Sequence, residues 1–134
     1  MIIKKETIGE VVLEASKKMS DPNYSAVLVG GFVQEQANAA QYVSAHAGDV
    51  GGAEGVVNTI FHSALIGICF KRGYGRTVRA LSFDDLDQVS GGDRKETLSK
   101  RQPFILEYIE SNVEEADTKH VLMLLAIAME SASR

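Results

Sequence analysis

An all-α fold, a single-domain bundle of five or six helices spanning residues 1–134, is what this sequence predicts, and three observations lead there. Apolar residues recur at three- and four-residue spacing rather than in alternation. Serine, aspartate, proline and glycine stand where helices start and stop. No two segments carry the alternating, turn-bounded pattern of paired strands. With 134 residues, 45% hydrophobic and 24% charged, the composition is that of an ordinary globular chain. Area scaling gives about 21,000 Å² unfolded and about 6,900 Å² folded, enough burial for one core.

The first helix is expected from Thr7 to Met19, with Ile8, Val11, Val12, Ala15 and Met19 on one stripe and Glu14 placed to pair with Lys18 four residues on. Pro22, among turn-favouring residues, ends it. A second helix from about Ser25 to His46 would bury Val29, Phe32, Val33, Ala37, Ala40 and Val43. Its Gly30 and Gly31 each cost about 1 kcal/mol against alanine, which calls for another helix packed closely at that point.

Gly48 to Gly52 reads as a loop. A third helix, Ala53 to about Arg72, carries Val57, Ile60, Phe61, Ala64, Leu65 and Ile68 on its stripe, with Gly73 placed to stop it. Thr77-Val78-Arg79 is compatible with extended chain. Ser82 then caps a short helix with an acid three residues on, and Gly91-Gly92 breaks it. Asp93 with Glu96 repeats the capping pattern, and Pro103 ends, kinks or restarts the chain's next helix. The last helix, Thr118 to about Ser133, is apolar almost all round from Val121 to Met129, so it is either the central rod of the fold or half of a subunit interface. No internal repeat is visible.

The bulk numbers bound compartment and partners. One cysteine, Cys69, excludes an intramolecular disulfide and points to the cytoplasm. The N-terminal Met1-Ile2-Ile3-Lys4-Lys5-Glu6 does not run into the apolar stretch of a signal peptide. The nine-residue run Val121–Met129 falls short of the roughly 20 residues of a membrane span. A net charge of −4 disfavours nucleic acid and anionic membranes as partners.

Several constellations deserve weighing for chemistry. Gly48 to Gly55 has the glycine content of a phosphate loop, but it follows a helix, lacks the Walker lysine and hydroxyl, and carries the anionic Asp49 and Glu54. His62 and Cys69 lie seven apart on one helical face and are zinc-type ligands, with His46, His120, Glu35 and Glu54 as possible completions. No metal-binding spacing motif is present, so no metal and no cofactor is expected. Asp84, Asp85 and Asp87 suit a helix's first turn better than a cation.

Lys71, Arg72, Tyr74, Arg76 and Arg79 form a basic stretch able to grip an anion or a partner, or else a solvated loop whose arginines pair with the acidic segment of the same or a neighbouring chain. Arg94, Lys95, Lys100 and Arg101 add a second basic block, against an acidic one from Glu107 to Asp117.

The functional reading that follows is a non-enzymatic cytoplasmic association module, expected to be a homodimer, with Leu122, Leu125 and Met129 at its interface and a protein as the possible partner. The alternative is a ligand- or metal-binding bundle, possibly an enzyme, with Glu35, Gln36, His62 and Cys69 in a pocket between the second and third helices. A nucleic-acid regulator using the 71–79 loop and the Arg94 to Arg101 helix comes third.

Overall fold

The rod that the apolar C-terminal run demands is at the centre of the molecule. A computed structural model describes all 134 residues, which fold as helices joined by turns and extended links with no strand. In chain order these are α1 (Lys5–Lys18), α2 (Tyr24–Glu35), α3 (Ala37–Ala45), α4 (Ala47–Val50), α5 (Gly52–Tyr74), α6 (Phe83–Gln88), α7 (Arg94–Arg101), α8 (Pro103–Asn112) and α9 (Ala116–Ser133). Every residue of α9 from Val121 to Glu130 is buried. α5 lies along one side of it, α7 and α8 cover another, and α4 and α6 complete the enclosure.

The count of nine replaces the expected five or six: the predicted second helix is two, α2 and α3, and the stretch from Gly48 to Gly52 expected as a loop holds most of the short α4 and the first residue of α5. At Gln36 the backbone leaves the helical region, with φ −127° and ψ 56°. The buried Gln36 side chain reaches an extended segment from another part of the chain. Its Oε1 accepts from Leu81 N at 2.8 Å, and its Nε2 donates to Arg79 O at 2.8 Å and Val78 O at 3.4 Å. A glutamine carboxamide carries the same acceptor and donor as a peptide group, so it supplies what a neighbouring strand would supply. Propensity alone would have continued the helix, since glutamine is a good helix former.

Gln102 does the same. Its backbone has φ −143° and ψ 70° between α7 and α8. Its Oε1 accepts from Ile3 N at 3.0 Å and its Nε2 donates to Met1 O at 2.7 Å.

These two clasps belong to an internal two-fold repeat, contrary to the expectation from sequence. Extended segment, helix, broken helix pair and long helix occur twice: 1–4 with α1, α2–α3 and α5, then 77–82 with α6, α7–α8 and α9. Each half's glutamine clasps the other half's extended segment. Correspondingly α2 and α3 pack on α5 as α7 and α8 pack on α9, and α1 meets α8 as α6 meets α3.

Paired positions 66 residues apart share their environment. Ala39 and Ile105 are buried, as are Val43 and Ile109. The carbonyls of Tyr42 and Tyr108 are each hydrogen-bonded at 2.8 Å by the side chain four residues on, His46 or Asn112. In the extended segments and the helices that follow, the equivalent positions are 78 apart. Buried Ile3 corresponds to Leu81, buried Ile8 to Leu86, and the extended N-cap residues are Lys4 and Ser82.

Other elements follow local chemistry. Ser82 and Asp85 form a complete capping box, Asp93 accepts from Glu96 N, and Pro103 opens α8. Gly73 does not stop α5. The helix runs one residue further, to Tyr74, and ends at Gly75 with φ +77°. Gly73 is instead a point of close approach, because a Cβ there would stand 2.7 Å from Ile3 Cγ1. Glu14 pairs with Arg72 rather than Lys18. By length and mean hydropathy α5 is also apolar enough to cross a bilayer, but in this fold it packs against α1, α2, α3, α4 and α9.

Replacing either clasp by an isosteric apolar residue leaves a buried peptide N–H without a partner, at a cost of about 1–3 kcal/mol. Gln36→Leu and Gln102→Leu are each expected to lower unfolding stability by that amount in urea titration. Effects within error of wild type would show that the extended segments do not depend on these side chains.

Candidate functional site

The basic stretch is largely consumed by its own fold. Arg72 pairs with Glu14, and Arg76 donates to the Ser133 carbonyl. Arg79 binds both carboxylate oxygens of Asp85 at 2.7 and 3.1 Å. That guanidinium, together with the Ser82 amide, holds the Asp85 carboxyl far below the usual carboxylate range. Tyr74 donates to Glu130 at 3.2 Å and to Met1 O at 3.4 Å.

The second basic block is engaged likewise. Lys95 faces Glu110, Lys100 pairs with Glu96, Arg101 lies 3.7 Å from Glu130, and Arg94 donates to the His120 carbonyl. Every guanidinium of the two blocks has a partner in the chain: Arg72, Arg79 and Arg101 reach acids, Arg76 and Arg94 reach carbonyls, and none of the 71–79 arginines meets the acidic block from Glu107 to Asp117. Lys71, unlike Arg72 and Arg79, has no ion-pair partner in the chain.

The pocket expected between the second and third helices exists in part. A groove of about 260 Å³ runs between α2 and α5, with Val27, Phe32 and Ile68 among its walls and Met129 of α9 at its base. Glu35, Gln36 and Lys71 line it, whereas His62 and Cys69 do not.

His62 turns toward α8, where Nδ1 and the Tyr108 hydroxyl share a 2.7 Å hydrogen bond. Cys69 is buried, and burial pushes its thiol up to about 12, so it is an inert core group. His46 stacks on Tyr42, and no three His, Cys, Asp or Glu side chains come together as a metal-holding group. The reason is rotational: α5 buries Ser63, Ile66 and Phe70 as well as Ile60, so its inward face lies to one side of the predicted stripe. Val57, 52% exposed, and the half-buried Phe61 and Ile68 look outward.

The proposed interface residues are corrected by the same geometry. Leu122 and Leu125 are fully buried and Met129 is 1% exposed, all within one chain, which leaves them no surface to offer a partner. The apolar surface that remains open is elsewhere. α2 is the most apolar-looking short helix, without a charge from Asn23 to Gln34, yet it buries only Phe32. Val27 is 72% exposed and Val33 41%.

A Cβ on Gly31 would meet no atom within 4 Å, and one on Gly67, on the opposite wall, would meet only Met129 Sδ at 3.8 Å. Two helix-interior glycines, each costing about 1 kcal/mol relative to alanine, therefore have no packing reason inside this chain.

Sequence reasoning placed Glu35 and Gln36 here but assigned Lys71 to the basic stretch. The missed signal was the charge-free length of α2 combined with its glycines.

Burial lowers the pKa of His62 below its ordinary value. The unfolded chain then binds more protons than the folded one below about pH 6.5, so this contribution is complete above that pH and is lost as pH falls. Urea midpoints are expected to drop between about pH 7 and pH 5.5, and to drop less in His62→Gln. An equal drop in both proteins would assign the slope to other groups. In comparisons with family models, with curated proteins and with solved structures, nothing matches this chain.

Proposed function

We propose that this chain acts by association rather than catalysis, as a small cytoplasmic module, and that its binding surface is the α2–α5 face rather than the C-terminal helix. The observation that carries this reading is the open glycine-containing groove beside the exposed Val27 and Val33, on a helix twelve residues long that buries one side chain. Contiguous apolar surface of this kind, rimmed by charge, is where partners bind. The polar groups nearby suit recognition. Gln36 is committed to the 78–81 segment, which leaves Glu35 and Lys71 as charges flanking an apolar strip.

A small molecule in the same groove is the second reading, favoured by the groove's apolar walls and by Met129 at its base. Its volume of about 260 Å³ lies below the roughly 300–1,000 Å³ of typical small-ligand sites. A packed side-chain ridge from another helix uses such a groove better. Nucleic acid is third, because the arginines that would grip phosphate are paired within the chain.

A photoactivatable phenylalanine analogue at Val27, with one at exposed Ser99 of α7 as control, tests the association reading in the cell that makes the protein. Polypeptide adducts are expected at position 27 and not at 99. Equal labelling at both, or none at 27, would remove the reading. A small mass retained in native mass spectrometry by an adduct-free chain would favour the ligand instead.

A further inference from the structure

The junction between α7 and α9 contrasts with the groove between α2 and α5. Between α7 and α9, the residue before the clasp glutamine is Arg101, and the long helix contributes Glu130 and, four residues later, Arg134. Glu130 fills that junction. Its side chain is 4% exposed and is held by Arg134 at 2.7 Å and 2.9 Å, by Tyr74 at 3.2 Å and by Arg101 at 3.7 Å. Burial alone would raise the Glu130 pKa, but these partners outweigh it and hold the carboxyl below its ordinary value.

Between α2 and α5 the residue before the clasp glutamine is Glu35. The long helix contributes Gly67 and, four residues later, Lys71. Here nothing fills the junction, and one acid and one base of opposite walls stand without ion-pair partners in the chain.

Resting on the association reading, we propose that a second copy of this chain closes the groove in a two-fold dimer, with α2 and α5 laid against the α5 and α2 of the other copy. A two-fold axis through the groove, between its walls, brings Glu35 opposite Lys71 of the partner subunit and Lys71 opposite Glu35 of the partner subunit. The strip between them is free of charge and hence self-complementary, and Gly31 and Gly67, one on each wall, let the facing backbones approach. One acid and one base on the same groove satisfy each other across a two-fold without any further residue.

The test is light-scattering mass across the micromolar range. Wild type is expected at twice 14.5 kDa. Glu35→Lys and Lys71→Glu should each weaken the dimer by about tenfold or more through like-charge apposition. The double variant E35K/K71E should regain it, and an equimolar mixture of the two single variants should form a heterodimer. Gly31→Leu, which meets open space within its own chain, should keep wild-type circular dichroism and lose the dimer.

A dimer that ignores these substitutions, or a double variant no tighter than the singles, overturns the proposal. A monomeric wild type whose position 27 cross-links to a different polypeptide overturns it while leaving the association reading standing. A monomer with no cross-link at position 27 ends both.

Discussion

A helix that is apolar around its whole circumference has no face to give to water, and in this chain that helix is α9. Ten consecutive residues, Val121 to Glu130, are buried, all but Met123 with relative exposures of 4% or less. Burying each leucine or methionine side chain is worth about 1.5–3 kcal/mol, so a surface position for α9 would forfeit the main source of stability in a chain of this size. The other elements are placed by this requirement. α5 flanks the rod, α7 and α8 are held to it through Leu98, Ile105 and Ile109, and α6 contributes Leu86. Glu130 is the one buried acid on the rod, and three polar neighbours keep it ionised.

Two extended segments complicate an otherwise helical chain. Their peptide groups need partners, and no sheet exists to supply them. The carboxamides of Gln36 and Gln102 stand in for a neighbouring strand, one clasping 78–81 and the other clasping 1–3. A neutral carboxamide makes these bonds without the desolvation cost of a buried charge. Because each clasp joins one half of the chain to the other, the halves are interlocked rather than merely adjacent.

The legible parts of this fold are those decided locally. The capping box at Ser82, the cap at Asp93, Pro103 at the start of α8 and the apolar rod all follow from short-range chemistry. The breaks at Gln36 and Gln102 are decided by residues at a separation of 40 or more positions, which no local pattern contains. The repeat was hidden for a related reason. Its two parts run at offsets of 66 and 78 residues, and what recurs is burial and hydrogen bonding, with few identities such as the glutamines and Tyr42 with Tyr108. As for the site, residue spacing showed that His62 and Cys69 share a helix face, but it could not show which way that face turns. Glu35, Gln36 and Lys71 reach one groove only because α2 and α5 cross there.

The repeat also separates what the fold requires from what it does not. Features present in both halves, the clasp glutamines, the extended caps and the buried Val43 and Ile109, are needed to build either half. Features present in one half alone are particular to it, as the close approach of Gly73 to Ile3 is. Glu35 before the clasp belongs to this second class, since Arg101 stands before Gln102 and meets Glu130 there. The open α2–α5 groove is therefore particular to one half of the molecule, and on the association reading its apolar strip and its two opposite charges are what a second chain would meet.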